Sequence, residues 1–369
     1  MSDPYNAIIT TVEPAPALPG PLHGRRLLVK DLIDTARIRT TYGSRIYADH
    51  VPVRTATAVE RLVAAGAVVV GKANLHEFAW GVTSQNDWYG TVQNPRLPGR
   101  TTGGSSGGNA AALAAGLCDI GIGTDTGCSI RLPASCCGVV GFKPSWGRVP
   151  MDGVYPLCRS FDTVGPMATS VPEVAAMWSV LAAAPLPAPR LQGLTVGLLT
   201  RPPSVGGPEQ AENRTGEAYV ERLEQLGAHV AETTIPDPPA DTWPLFFHEA
   251  AEAHRATFPV RADEYGPNIR TKLEQAQEVD PAEVARAAAA VRVWRAYRPE
   301  VDLYVSPVLG VEVPPVDCDE LDIRIPATAF LRPFNVIGWA AIAIGDLQFI
   351  APRDETVLAA ALAWDQLEA

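Results

Sequence analysis

Two glycine-rich stretches concentrate hydroxyl groups and freely turning backbone. They are Gly103-Gly104-Ser105-Ser106-Gly107-Gly108 and Gly123-Thr124-Asp125-Thr126-Gly127-Cys128-Ser129-Ile130-Arg131. Alone, the first reads as a linker or turn, as a phosphate-cradling loop at a helix start, or as an active-site loop. It lacks the GK[ST] ending of a P-loop, and no GxGxxG opens a helix here. The second sets Ser129 in a turn after Gly127 and Cys128, where successive backbone N–H groups can converge into an oxyanion hole. A serine hydroxyl is a poor nucleophile until a neighbour removes its proton. No histidine lies in either stretch, so a Ser-His-Asp arrangement has no support. The remaining base is Lys30 in VKDLID, which by itself also reads as a solvated surface lysine. A lysine accepts a proton only when neutral, and that requires burial or nearby positive charge to depress its pKa.

The elements around these residues read as alternating strands and helices. Residues 1–24 form an extended, proline-rich lead-in, and Arg26–Val29 a short strand that delivers Lys30 at its end. A helix starts at Thr55, with Val59, Leu62 and Val63 on one face and Gly66 as its stop. The β-branched run Ala67–Val70 reads as a buried strand. Between the glycine stretches only Asn109–Ala115 reads as helix, with Asn109 as its cap. Later come a strand at Leu194–Leu199, a helix at Ala218–Leu226, a strand near His229–Val230, a long helix from Asp280 to about Tyr297 and a strand at Asp302–Ser306. Strand, helix and strand in succession imply a largely parallel sheet with helices packed on it.

With these segments in place, the chain resembles the amidase-signature family. The resemblance runs through VKDLIDT, GAVVVGKANLHEFAWG, GTVQNP, TGGSSGGNAAALAAG, GTDTGCSIRLPASCCGVVGFKPSWGRVP and SFDTVGPMA, then more weakly through LEQLGAHV, DLYVSP and FNVIGWAAIAI. It implies Ser129 as acylating nucleophile, Ser105, 24 positions earlier, as a bridging serine behind a cis peptide bond, and Lys30 as general base. It also implies an oxyanion hole from the N–H groups of Thr126, Gly127, Cys128 and Ser129, with Gly104, Ser106, Asp125 and Arg131 in support. The implied fold is α/β, a single large α/β/α sandwich over residues 1–369 with a central mixed, mostly parallel β-sheet covered by helices. Within it, residues 25–183 form the catalytic core, 191–325 a variable substrate-side region and 326–369 a C-terminal return to the core sheet.

The implied activity is that of an amidase hydrolysing a non-peptide carboxamide to a carboxylate and ammonia or an amine through a Ser129 acyl-enzyme. An alternative is a glutaminase that resembles the A subunit of glutamine-dependent amidotransferases and works with a partner. A third reading is a non-catalytic amidase-like binding protein. Two departures stand out. The family's usual GGS before the nucleophile is Gly127-Cys128-Ser129 here, and the region after Ile342-Ala343-Ile344 is abbreviated. Aromatic residues Trp80, Trp88, Tyr89, Trp243, Phe246 and Phe247 are candidates for a substrate pocket or for core packing.

Bulk properties narrow the field. Of 369 residues 47% are hydrophobic and 19% charged, as suits a folded chain with a large core, and the net charge of −11 argues against nucleic acid or an anionic membrane as the main partner. The six cysteines form no CxxC pair and the six histidines are scattered, so the expectation is free thiols, no metal and no cofactor. With no basic start and apolar h-region at the N-terminus, and no run of 18 apolar residues, the expected location is cytoplasmic. The expected partners are a small-molecule amide, no nucleic acid and no membrane, with a homodimer as a candidate assembly.

Overall fold

The computed structural model describes residues 3–206 and 217–366. Among the described residues, eleven strands build one sheet: β1 (Ile8–Thr11), β2 (Arg26–Lys30), β3 (Val68–Ala73), β4 (Ile120–Asp125), β5 (Val140–Lys143), β6 (Thr163–Ala168), β7 (Thr195–Leu199), β8 (His229–Thr233), β9 (Leu303–Pro307), β10 (Ala340–Ile344) and β11 (Leu347–Ala351). Their order across the sheet is β1-β3-β2-β4-β6-β5-β10-β11-β9-β7-β8. The helices are α1 (Thr57–Ala64), α2 (Gly107–Ala114), α3 (Arg131–Cys137), α4 (Val171–Ala182), α5 (Glu217–Gln225), α6 (Trp243–His254), α7 (Pro267–Gln277), α8 (Pro281–Arg295), α9 (Glu320–Thr328), α10 (Pro333–Val336) and α11 (Asp354–Asp365).

The fold is α/β with a mixed sheet covered by helices, as expected, but one detail differs. Four strand pairings are parallel, β2 with β3 and β4 and β7 with β8 and β9. Six are antiparallel and fill the middle and one edge, so parallel pairing is not the majority. One of the six, β10 with β11, follows from loop length. The abbreviated stretch after Ile344 is a two-residue turn, Gly345-Asp346, and such a turn can join only antiparallel neighbours. Gly345 takes φ 61° there, a conformation that costs a residue with a Cβ.

Side-chain alternation on β2 decides which face Lys30 serves. Leu27 and Val29 enter one apolar cluster, shared with Trp178, Leu181, Leu358 and Trp364 of α4 and α11. Leu28 enters the other, shared with Ala110 and Leu113 of α2 and with Cys136 of α3. With a period of two, Lys30 falls on the face of Leu28, under α2 and α3. Because β2 and β4 are parallel neighbours, Lys30 and the turn after Asp125 leave the sheet at the same edge. That carboxyl-end edge is where open α/β sheets bind ligands.

Helix α2 starts two residues before the expected Asn109. Asn109 is therefore no cap; its Nδ2 crosses to the sheet and donates to the carbonyls of Leu28 at 3.0 Å and Ile122 at 3.4 Å. Helix α3, directly after the second glycine stretch, has no counterpart among the helices expected from the sequence. It is mostly apolar, holds a proline at Pro133 and is only seven residues long, too short to show a 3.6-residue period.

Candidate active site

Lys30 is fully buried at the end of a strand buried on both faces. Its Nζ lies 2.7 Å from Ser105 Oγ and 2.8 Å from Thr124 Oγ1. Burial drives its pKa down to about 7, against the attraction of Asp125 and Asp162, which favour the ammonium. Ser105 stands just before α2, and the Gly104–Ser105 peptide is cis. A Cβ at Gly104 would come within 2.8 Å of the backbone nitrogens of Thr83 and Ser84, so only glycine fits this approach.

The two glycine stretches lie side by side. The N–H of Ser106 donates to the carbonyl of Ser129 at 3.2 Å, and the Cys128 thiol donates to the carbonyl of Gly104 at 3.4 Å. Ser106 Oγ also donates to the carbonyl of Thr124 at 3.3 Å, tying the start of α2 to the end of β4. Among the described residues, the backbone N–H groups of Gly127, Cys128 and Ser129 donate to no protein acceptor. The Thr126 hydroxyl donates to Asp162 Oδ1 at 2.6 Å, and Asp162 in turn accepts from the N–H groups of Leu157 and Cys158, so the turn is anchored from below.

Asp125 and Arg131 sit behind this turn, both fully buried. The guanidinium reaches the carboxylate through two contacts of 3.1 Å, Nε to Oδ2 and Nη2 to Oδ1. Asp125 Oδ2 also accepts from the N–H of Ile130 at 3.1 Å, which ties the start of α3 to the end of β4. Asn335 donates to Asp125 at 2.8 Å and accepts from Arg131 at 2.7 Å, while Gln348 accepts from Arg131 at 3.2 Å. Burial alone would raise the Asp125 pKa, but the Arg131 guanidinium, with Lys143 and Asn335, holds the carboxyl below the usual carboxylate range. The pair holds the turn in place and lies one layer behind Ser129. Arg131→Met would strand a buried carboxylate, and the expected loss of stability is about 3–5 kcal/mol, read as a lower midpoint in urea unfolding.

The Cys128 backbone does not take the left-handed conformation, so the side chain imposes no strain there. Its thiol is buried, and desolvation pushes its pKa well up, so it stays protonated. All six cysteines are free thiols. Cys128→Gly is expected to keep any turnover at Ser129 within about threefold while costing roughly 1 kcal/mol of stability through lost packing and a freer backbone. Steady-state kinetics and thermal melts check both; a fall to the level of a Ser129→Ala protein would give the thiol a chemical role.

Ser129 opens on a cleft that encloses about 480 Å³, its solvent-facing mouth included. Trp80, Leu157, Trp243 and Phe246 form its apolar wall, and Gly127, Cys128 and Ser129 its floor. Of the aromatic candidates, Trp88 and Tyr89 lie elsewhere: Trp88 Nε1 donates to Glu77 at 2.9 Å, and Tyr89 lies under Arg39. Phe247 packs on Trp243 and Trp80 behind the wall. Several residues of the site carried no signal in the sequence. Thr124, the second partner of Lys30, is one hydroxyl among many, and Asn335 and Gln348 arrive from more than 200 residues away. Lys272, Glu320, Arg324 and Arg332 also line the cleft, from α7, α9 and the residue before α10.

A family model described as "Amidase" matches residues 12–348. The A subunit of the glutamyl-tRNA(Gln) amidotransferase from Natronomonas pharaonis is 42% identical over 250 residues, 63% of this chain and 59% of that protein. The chain spans about half to six-tenths of the length of the curated relatives it matches. A crystal structure of an amidase superposes with a TM-score of 0.83 at 31% identity, covering 95% of this chain and 86% of the other. The corresponding amidotransferase chain of Thermotoga maritima superposes with a TM-score of 0.76 at 27% identity, covering 97% and 87%. These relatives overturn the expectation about partners, which was a small-molecule amide, no nucleic acid, no membrane and a candidate homodimer. They are named as subunits, and of an enzyme whose name carries a tRNA. Composition and net charge do not exclude such partners, because contacts between chains are made by local surfaces that bulk charge averages away. The matched span takes in Lys30, both serine stretches and the strands that position them, and on that match the chain belongs to the amidase-signature family.

Proposed function

We propose that this chain cleaves a carboxamide C–N bond, with Ser129 as nucleophile, Ser105 as proton bridge and Lys30 as base. The observation that carries the reading is a buried lysine, depressed to about 7, hydrogen-bonded at 2.7 Å to a serine on the segment stitched to Ser129. In this scheme the Ser129 oxygen attacks the amide carbon, its proton passes to Ser105, and the Ser105 proton passes to neutral Lys30. The N–H groups of Thr126, Gly127, Cys128 and Ser129 receive the developing oxyanion; losing one such donor typically costs ~3 kcal/mol of barrier stabilisation. Collapse breaks the C–N bond, and the proton held by Lys30 returns through Ser105 to the leaving nitrogen. Water then attacks the Ser129 ester by the same relay, which releases the carboxylate and restores the hydroxyl. The test is a panel of primary amides, aryl amides, ureas and esters, with intact-mass detection of an acyl adduct that maps to Ser129. An adduct elsewhere, or turnover with none formed under rapid quench, would remove the covalent step.

A second reading has its own support, because the curated relatives are named as amidotransferase subunits. In it the same chemistry releases ammonia from glutamine for use by a partner chain. Glutaminase activity that rises severalfold when partner chains are added selects this reading; activity indifferent to them selects a stand-alone amidase.

A further inference from the structure

The chain has four lysines, Lys30, Lys72, Lys143 and Lys272, and all four are buried. Lys72 donates to the carbonyl of Ile33 and has Asp31 at 3.8 Å, and Lys143 donates to the carbonyls of Pro144 and Trp339. Lys272 is held by Glu320 and by the carbonyl of Trp80. Lys30 differs from the other three: its two shortest contacts among the described residues are hydroxyls, Ser105 at 2.7 Å and Thr124 at 2.8 Å. The proton relay uses the first and leaves the second idle.

A neutral amine has two N–H groups and one lone pair. To take a proton from Ser105, the lone pair must face the Ser105 hydroxyl, and both N–H groups then need acceptors elsewhere. Thr124 offers two. Its Oγ1 is the contact at 2.8 Å, and its main-chain carbonyl lies 3.5 Å from the same nitrogen. That carbonyl also accepts from Ser106 Oγ at 3.3 Å, within the capacity of an oxygen with two lone pairs. Thr124 is 2% exposed, so water has no access to replace the hydroxyl, and its branched side chain is stiff on strand β4. Once Lys30 is an ammonium, its third N–H points at Ser105 while both Thr124 contacts persist. The proton can therefore move in either direction without the amine turning, which is preorganisation for a relay that runs both ways.

The geometry points to Thr124 as the positioning residue of Lys30, its two oxygens taking the amine N–H groups so that the lone pair faces Ser105. The inference rests on the hydrolytic reading above and deepens it by naming what orients the base.

Two substitutions separate the hydroxyl from the volume. Thr124→Val keeps the branched shape and loses the acceptor, whereas Thr124→Ser keeps the acceptor and loses a methyl group. On any amide that the wild type turns over, kcat is expected to fall roughly 10–10²-fold in Thr124→Val with KM within about twofold, and to stay within about threefold in Thr124→Ser. An undiminished kcat in Thr124→Val, or a loss in Thr124→Ser as large as in Thr124→Val, assigns the residue to packing and overturns the proposal. Should the valine protein fail to fold, Thr124→Ala against Thr124→Ser, a pair that differs only by the hydroxyl, makes the same comparison.

A second measurement needs no turnover. Protein labelled with ¹³C at lysine Cε gives one signal for each lysine, and the one missing from Lys30→Ala belongs to Lys30. Removing an acceptor that favours the ammonium should move the Lys30 titration to lower pH, by roughly one pH unit in Thr124→Val, and leave it near the wild-type midpoint in Thr124→Ser. Asp125 and Asp162, which attract the amine, and the neutral Cys128 and His76 near it are the same in every one of these proteins. A titration that does not move overturns the proposal. The hydrolytic reading fails separately: a Ser129→Ala protein that still turns over amides removes that reading, while the lysine titration still decides whether Thr124 holds the amine.

Discussion

Ser129→Ala is expected to lower kcat by about 10⁴–10⁶-fold on any amide that the wild-type protein turns over, with little change in substrate binding. The size follows from what the substitution removes and what it leaves. The side chain is the only group of the turn that can form the ester, so covalent catalysis is lost outright. The free N–H groups of Gly127 and Cys128 stay, because their positions depend on the Asp125–Arg131 pair, on Asp162 and on the contacts to Gly104 and Ser106. The residual rate therefore reports the donors and the binding cleft alone. Folding should be nearly unaffected, since Ser129 Oγ is not part of the buried network behind the turn. Single-turnover kinetics with matched thermal melts check the prediction, and a loss of less than tenfold would show that another group attacks the carbonyl.

Lys30→Ala should cost about 10³-fold or more, in the range of a positioned general base. It should also change the pH profile. In the wild-type protein burial brings the Lys30 pKa to about 7, below its ordinary value. Below that pH the ammonium persists and cannot accept a proton, so activity is expected to rise about tenfold per pH unit up to near 7 and then to level off. In Lys30→Ala the step near pH 7 should vanish from whatever rate remains. The sign separates this reading from one in which Lys30 serves as a fixed positive charge, since that role would make activity fall, not rise, as the lysine deprotonates. An unaltered turnover in Lys30→Ala would remove the lysine from the mechanism.

The contrast between Lys30 and Lys272 shows how burial and pairing divide the basic residues. Both are buried and both are depressed in pKa, mainly by burial. Lys272 has a carboxylate at 2.7 Å, whereas Lys30 has two hydroxyls and, among the described residues, no carboxylate in contact. A lysine held by hydroxyls can exchange a proton with them, because a hydroxyl both donates and accepts. A lysine locked to a carboxylate stabilises its charged form and is a poorer candidate for the same work.

By itself the sequence determined the local pieces. The strand that ends in Lys30, the α/β alternation and the two glycine-serine stretches are written in short-range composition, and residue types within a few positions of one another suffice to read them. It also marked Gly104, whose neighbours leave no room for a Cβ. Only the tertiary structure decided what those pieces face. The balance of parallel and antiparallel pairing depends on strands far apart in the chain, such as β5 beside β10 and β9 beside β11, and only the β10–β11 pair is set by a two-residue turn. The partners of Arg131 come from Asn335 and Gln348, and the unpaired edge of Arg332 is visible only once Trp243 and Val205 are in place. The physical reason is the same in each case. Hydrogen bonding and desolvation depend on distances of a few ångströms between atoms of residues far apart in the chain. No local pattern encodes which buried charge finds a partner and which is left without one.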